Sequence, residues 1–131
     1  MNVADRPRFY GEIYRVLKPG GRLAFYDVLA GDGRPLLFPV PWARRPESSL
    51  LLTPEATRDV LTTTGFREIL WTDKTGLALH WFAEARSHLA TSPPLSIAVI
   101  MGPQFFEMAE NLERNLQEVR VQLVQGIFQR E

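Results

Sequence analysis

The chain has 131 residues, with 15 basic and 15 acidic side chains, no cysteine and 45% hydrophobic residues. That length suits one domain with its own hydrophobic core. A formal net charge of zero gives no electrostatic reason to expect nucleic acid or an anionic membrane as a partner. Without cysteine there is no disulfide, thiol nucleophile or cysteine-based zinc site. We therefore expect a soluble, cytoplasmic protein.

The first 30 residues predict a helix followed by a strand. Asp5 is a suitable helix cap, with Pro7 tolerated in the first turn. The apolar residues that follow recur at helical spacing: Phe9, Ile13, Val16 and Leu17. Pro19-Gly20-Gly21 ends this helix. The next segment, from Leu23 to Leu29, is nearly all apolar, which is typical of a strand buried on both faces in a parallel sheet.

The middle of the chain predicts an irregular loop, a helix and a second strand. Five prolines fall in the 20 residues from Pro35 to Pro54, so we expect an ordered loop without regular structure. Thr53-Pro54-Glu55 is a strong helix start, and Gly65 suits a left-handed cap at the end of that helix. Phe66 to Trp71 predicts the next strand.

The last third predicts two more helices and a final strand. Leu77, Trp81, Ala85 and Leu89 share one helical face, and Pro93-Pro94 ends that helix. A fourth, amphipathic helix opens near Pro103. Val119 to Leu123 alternates apolar and polar residues, which indicates a strand with one partly solvated face, as in antiparallel pairing. Alternating helices and strands indicate an α/β layered sheet.

In this order the segments resemble the C-terminal half of a class I S-adenosylmethionine-dependent methyltransferase. The most specific likeness is the turn Leu17-Lys18-Pro19-Gly20-Gly21, which in that family feeds the fifth strand of a seven-stranded sheet. Tyr26-Asp27-Val28 and Pro39-Val40-Pro41-Trp42 resemble the branch that includes glycine, sarcosine and dimethylglycine methyltransferases. The resemblance implies a single domain over residues 1–131 with the last three strands of a Rossmann-like sheet, the final one antiparallel, and flanking helices.

The same resemblance implies S-adenosylmethionine as cofactor and a small metabolite as acceptor for N- or O-methylation. In the family, a Gly-rich loop after the first strand and an acidic residue after the second hold the cofactor. Neither segment is present here, and Gly31-Asp32-Gly33 follows the wrong strand, so we interpret it as a turn. We expect this chain alone to be inactive. An in-frame start upstream of Met1 is a further possibility.

Five residues are candidates for a site, each with a structural alternative. By resemblance Asn2 borders the cofactor, although it also suits a frayed terminus. Tyr26 and Asp27 fall where open α/β sheets place their ligand crevice, but Asp27 equally suits pairing with an arginine. Trp42 suits a wall for a methylated ammonium or an anchor for the loop. Arg44, with Arg45, suits a substrate carboxylate or a solvated loop edge.

Two expectations concern partners. His80 and His88 lie eight residues apart without further ligands, so we expect no metal site. In the family, the strand from Leu23 to Leu29 pairs with a fourth strand that is absent here, and an open apolar edge promotes association. We therefore expect a homodimer through this strand. The alternative function is a non-catalytic small-molecule-binding or interaction module that keeps the loop from Pro35 to Pro54.

Overall fold

The computed structural model describes residues 1–88 and 97–131, which form helices around a single sheet. Five α-helices lie in the described residues: α1 (Arg6–Val16), α2 (Pro54–Thr64), α3 (Thr75–His88), α4 (Ile97–Met101) and α5 (Phe105–Gln117). Three strands make up the sheet: β1 (Arg22–Ala30), β2 (Phe66–Asp73) and β3 (Val121–Arg130). No helix among the described residues is long and apolar enough to span a membrane.

The strand order is β1-β3-β2, and β3 runs antiparallel to both neighbours. β1 and β2 are therefore parallel to each other, although they do not touch. This is the predicted α/β arrangement, with a reversed final strand between its two predecessors. The carboxyl ends of β1 and β2 and the amino end of β3 consequently meet at one edge of the sheet.

One face of the sheet carries α1 and α2 over the main core. Tyr10, Leu61, Phe66 and Phe128 form its buried centre. The predicted caps are confirmed: Asp5 accepts from the Arg8 N–H, Thr53 accepts from the Ala56 N–H, and Gly65 has φ 107°. These caps satisfy terminal backbone groups and fix where each helix meets the sheet.

The expectation that β1 is buried on both faces is wrong. Leu23 and Phe25 pack into the core, but Arg22, Ala24 and Tyr26 on the opposite face are exposed. The physical reason is that α1 and α2 cover only one face. On the other face α3 and α5 pack near the carboxyl end of β1, where Val28 is buried.

The final strand and the helix before it also differ from the predictions. β3 begins at Val121, because Val119 has φ 57° and ends the α5 segment instead of extending. The strand continues to Arg130, although the apolar–polar alternation ends at Val124, which follows the apolar Leu123. The short helix α4 was not predicted. Leu89 and Pro93-Pro94, which were expected to complete and end α3, lie outside the described residues.

The free edge of β1 is closed at one end and open at the other. Val28 and Ala30 direct their N–H groups away from β3, and these groups bond to Asp27 Oδ1 (2.9 Å) and the Leu52 carbonyl (2.8 Å). Arg22, Ala24 and Tyr26 have the same orientation, because residues two apart in a strand point the same way. Within the described residues their outward N–H groups have no backbone partner.

Candidate functional site

A cavity of about 310 Å³ lies where β1 ends and β3 begins. Leu36, Phe38 and Leu51 supply apolar walls, and Ser49, Arg34 and Arg120 supply polar ones. Most of these residues belong to the loop of residues 35–54, called the proline-rich loop below. The cavity therefore lies at the carboxyl end of the edge strand β1, and the carboxyl ends of strands are the usual place for a ligand crevice in an α/β sheet.

Three asparagine side chains hold the proline-rich loop in place. Asn115, fully buried on α5, accepts from the Leu37 N–H at 2.9 Å and donates to the Leu37 carbonyl at 3.0 Å. Asn111 donates to the Pro39 carbonyl at 3.0 Å. Asn2 donates to the Trp42 and Ser48 carbonyls, both at 2.8 Å. A loop without regular structure needs such partners, because buried backbone groups are costly when left unpaired.

Trp42 forms part of the inner support of this loop. Its indole N–H donates to Ser49 Oγ at 2.9 Å, and Ser49 lines the cavity. Its ring packs in the cluster that includes Leu36 and Leu51. Trp42 thus lies directly behind the cavity wall and does not line the cavity, an arrangement that corresponds to the anchoring alternative.

A close backbone approach joins the two segments that carry Arg34 and Arg120, the arginines that line the cavity. The Gly31 N–H bonds to the Arg120 carbonyl and the Asp32 N–H bonds to the Val119 carbonyl, both at 2.9 Å. A Cβ on Gly31 would lie only 2.0 Å from the Val119 oxygen, so only glycine fits. This contact brings the segment after β1 against the segment before β3 and so places Arg34 next to Arg120.

Two carboxylates orient these two arginines. Arg34 Nε lies 2.8 Å from Asp32 Oδ2, and Arg120 Nε lies 2.7 Å from Glu118 Oε2. Each guanidinium also donates to a carbonyl, Arg34 to Glu118 and Arg120 to Pro35. The hydrogen bond from the Arg34 backbone N–H lowers the pKa of Asp32, and the one from the Arg120 side chain lowers the pKa of Glu118.

The polar cluster around Asp27 lies beside the cavity, on the core face of β1. Arg6 is almost fully buried, with Nη1 3.9 Å from Asp27 Oδ2 and bonds to the Val3 and Leu50 carbonyls. The Met1 nitrogen lies 3.8 Å from the same carboxylate oxygen. Burial raises the pKa of Tyr10, which borders Arg6. Asp27 is therefore paired with an arginine, the structural alternative of the sequence analysis.

The predicted site residues do not form one site. Asn2 and Trp42 converge on the proline-rich loop, and Asp27 lies nearby. Tyr26 points to the opposite face of β1, where it lines a separate cavity of about 450 Å³ with Trp81, Phe82 and Glu84 of α3. Arg44 is exposed, and no ion pair involves it among the described residues.

Sequence reasoning missed Arg34, Arg120, Asn111 and Asn115. Arg34 had a weak signal, because it follows the glycine turn after a strand. Arg120 had none, since it was assigned to a strand and its neighbour in space lies 86 positions away along the chain. For the asparagines, two amides four residues apart on an apolar helix face were the available signal.

A cofactor cradle of the kind that the methyltransferase resemblance implies needs open space beside glycine backbone. At Gly31 that space is filled by the Val119 carbonyl, whereas the space beside Gly33 is open. Gly31 therefore does not fit such a cradle. For metals, no group of three or more His, Asp or Glu side chains converges within residues 1–88 and 97–131. His80 lies 3.4 Å from Glu84, and the side chain of His88 falls outside the described part.

Comparison with known proteins identifies the fold. No protein-family model and no curated protein matches the chain. Among solved structures it is similar to one assigned as a sarcosine dimethylglycine methyltransferase from Galdieria sulphuraria, with 15% identity, a TM-score of 0.71, and coverage of 100% of this chain and 49% of that one. The chain thus spans about half the length of this structure.

Two further structures give the same result. A geranyl diphosphate C-methyltransferase from Streptomyces coelicolor A3(2) is 16% identical, with a TM-score of 0.69 over 100% of this chain and 44% of that one. A phosphoethanolamine N-methyltransferase from Haemonchus contortus is 14% identical, with a TM-score of 0.69 over 98% and 30%. The chain therefore has the fold of the C-terminal part of S-adenosylmethionine-dependent methyltransferases.

Proposed function

We propose that this chain is the acceptor-side half of an S-adenosylmethionine-dependent methyltransferase that acts on a small metabolite. The main support for this proposal is the cavity at the carboxyl end of β1, which lies in a fold shared with methyltransferases. Methyl transfer from a sulfonium depends mainly on holding the acceptor in line and excluding water. A rigid loop anchored by three asparagines suits that task.

The cofactor is supplied from outside the described residues in this proposal. Two observations support this division: the space at Gly31 is filled, and the chain spans between 30 and 49% of the three methyltransferase structures. This chain's own contribution is to bind and orient the acceptor. The alternative, a non-catalytic small-molecule-binding module, uses the same cavity without any methyl transfer.

Calorimetry on the chain tests the division. Titration with S-adenosylhomocysteine should give no saturable heat, whereas sarcosine, dimethylglycine or phosphomonomethylethanolamine should bind. Micromolar affinity for S-adenosylhomocysteine would instead place the cofactor site in this chain. Absence of binding by every acceptor would overturn the acceptor role. Methyl transfer by a complex that includes this chain would exclude the non-catalytic alternative.

We also propose that the chain forms a homodimer through the open edge of β1. The outward N–H and C=O groups of Arg22, Ala24 and Tyr26 are available for a second strand. An antiparallel pair centred on Ala24 makes six backbone hydrogen bonds and places Arg22 opposite Tyr26 of the second copy, a favourable cation–π pair. Phe9 and Val16 on α1, seven residues apart, add exposed apolar surface.

In the family's strand order the same edge pairs with the fourth strand. A second copy and a cofactor-binding unit would therefore compete for Arg22–Tyr26. The homodimer is then the form of the chain without that unit, and sedimentation of the pure chain is the direct measurement. A monomer at all concentrations would overturn this proposal and leave the acceptor-binding role untouched.

A further inference from the structure

The cavity under the proline-rich loop has one cationic wall, a hydroxyl group from Ser49 and otherwise mainly apolar walls. Arg34 and Arg120 lie together on one side, and Leu36, Phe38 and Leu51 form much of the rest. The carboxylates that orient the arginines, Asp32 and Glu118, do not line the cavity. The surface that faces a ligand is therefore positive, although the four groups together are neutral.

The guanidinium groups keep donors for a ligand. The described bonds of Arg34 use Nε and Nη2, and those of Arg120 use Nε and Nη1. This leaves Nη1 of Arg34 and Nη2 of Arg120 without a described hydrogen bond. Arginine forks held by carboxylates and carbonyls lose little side-chain entropy on binding an oxyanion.

We propose that this cavity binds the carboxylate or phosphate group of a short acceptor, with the acceptor's apolar part against the leucine and phenylalanine walls. The inference rests on the proposed function and adds the chemical class of the acceptor. The volume of about 310 Å³ is at the small end of ligand pockets, which favours an acceptor of few heavy atoms.

The ligand names in the descriptions of the similar structures support this class. Sarcosine, phosphomonomethylethanolamine and geranyl diphosphate each carry a carboxylate or phosphate group, and each appears in the description of a structure that shares this fold. In this chain the anion-binding groups are the guanidinium groups of Arg34 and Arg120.

Three probes with the same apolar body test the inference: n-butyl phosphate, n-butanol and n-butylamine. We expect n-butyl phosphate to bind saturably, with a shift of the Trp42 indole N–H signal in a ¹⁵N–¹H spectrum, because that group bonds to Ser49 at the cavity wall. Inorganic phosphate should bind at least tenfold more weakly, and n-butanol and n-butylamine should give no saturable shift. Equal binding of n-butanol and n-butyl phosphate would overturn the role of the arginines.

Charge-removing variants locate the site. Arg120→Met and Arg34→Met should each weaken n-butyl phosphate binding about tenfold or more, the loss expected for one charge-assisted pair. Arg44→Met removes an exposed arginine of the proline-rich loop that does not line the cavity. It should leave the affinity for n-butyl phosphate within twofold of wild type. Arg120→Lys is the second variant at this position, in case Arg120→Met does not fold. It keeps the positive charge but loses the two-pronged guanidinium, so it should bind n-butyl phosphate with intermediate affinity. A loss in Arg44→Met, or none in Arg34→Met and Arg120→Lys, would place the site elsewhere.

The acceptor and probe titrations separate the two proposals. Binding of n-butyl phosphate without binding of any acceptor would support the anion site and overturn the acceptor role. Binding of an acceptor that Arg34→Met and Arg120→Met do not weaken would keep the acceptor role and overturn this inference.

Discussion

The two ends of β1 differ in how completely their surroundings are built. At Val28–Ala30 the free edge is bonded to Asp27 and Leu52, and the proline-rich loop closes over it. At Arg22–Tyr26 the edge is open and one face is exposed. The end at Val28–Ala30, called the finished end below, carries the cavity. The end at Arg22–Tyr26, called the open end, has backbone groups with which another strand can pair. The molecule therefore has a cavity and an open edge on one strand.

The finished end depends most strongly on Gly31. Gly31→Ala would place a Cβ about 2.0 Å from the Val119 oxygen, so the contact between residues 31–32 and 119–120 must open. We expect a loss of about 3 kcal/mol or more in the free energy of unfolding, measured by urea denaturation. Gly76→Ala is the matched control, because nothing lies within 4 Å of its added Cβ. Equal stability of the two variants would contradict the close approach.

The loop anchor comes next in size. Asn115→Leu leaves the N–H and C=O of Leu37 without their partner in a fully buried position. We expect a loss of about 2 to 4 kcal/mol. Asn111→Leu removes a single bond to Pro39 and should cost about 1 kcal/mol. If the two variants lose similar stability, the loop does not depend on Asn115 in the way that the hydrogen bonds indicate.

The helix caps and the contacts around the cavity were not equally predictable from the sequence. The caps at Asp5, Thr53 and Gly65 and the alternation of helices and strands followed from local signals, because each depends on residues close together in the chain. The placement of Arg34 beside Arg120 and the anchoring of the loop by Asn115 depend on contacts between distant segments. No periodicity encodes such contacts. The sequence therefore predicted a crevice at the carboxyl end of the strand from Leu23 to Leu29, where the structure has a cavity, but it named the exposed Arg44 and not Arg34 or Arg120.

The exposed face of β1 was mispredicted for a related reason. An apolar run such as Leu23–Leu29 indicates a strand that can be buried on both faces, but burial also needs elements to cover it. In the described residues α1 and α2 lie on one face only. The apolar run therefore indicates that both faces of the strand can be buried, but it does not show which elements cover them in this chain.

The open end is tested at its centre by Ala24→Pro. Because the Ala24 N–H points away from β3, proline removes a donor for a second copy without removing a bond within the sheet. We expect the wild-type chain to sediment at twice its mass of 14.9 kDa and Ala24→Pro at the single mass with a retained thermal transition. Ala24→Val keeps the donor and should remain dimeric. A dimeric Ala24→Pro would exclude this edge as the interface.

Acidification affects the finished end through its two carboxylates. The pKa values of Asp32 and Glu118 are lowered below their usual 3.8 and 4.5 in the folded chain. Their stabilisation is therefore complete above those usual values and is lost as the pH falls through the folded values. We expect the decrease in Tm between pH 6 and pH 3 to be smaller in the variant with both Asp32→Asn and Glu118→Gln than in the wild-type chain.

The control for this pH effect is the variant with both Glu47→Gln and Asp59→Asn, which removes the same number of charges from exposed positions outside the cavity. It should follow the wild-type acid dependence. Identical acid dependence of both double variants and wild type would show that the arginine–carboxylate pairs of the cavity contribute nothing to folding.

The smallest effect is expected at Val119, which joins the finished end to α5. A valine with φ 57° occupies a region that β-branched residues rarely adopt, at a cost of about 1 to 3 kcal/mol. Val119→Gly relieves this strain but gives the unfolded chain more freedom, at a cost of about 0.5 to 1 kcal/mol. Since Val119 is half exposed, little packing is lost, and we expect a net gain of about 1 kcal/mol in the free energy of unfolding. Val121→Gly, which removes a fully buried side chain from an extended position, should destabilise instead. A loss of stability in Val119→Gly would mean that the turn carrying Arg120 is not strained, and that its left-handed residue contributes packing rather than conformational cost.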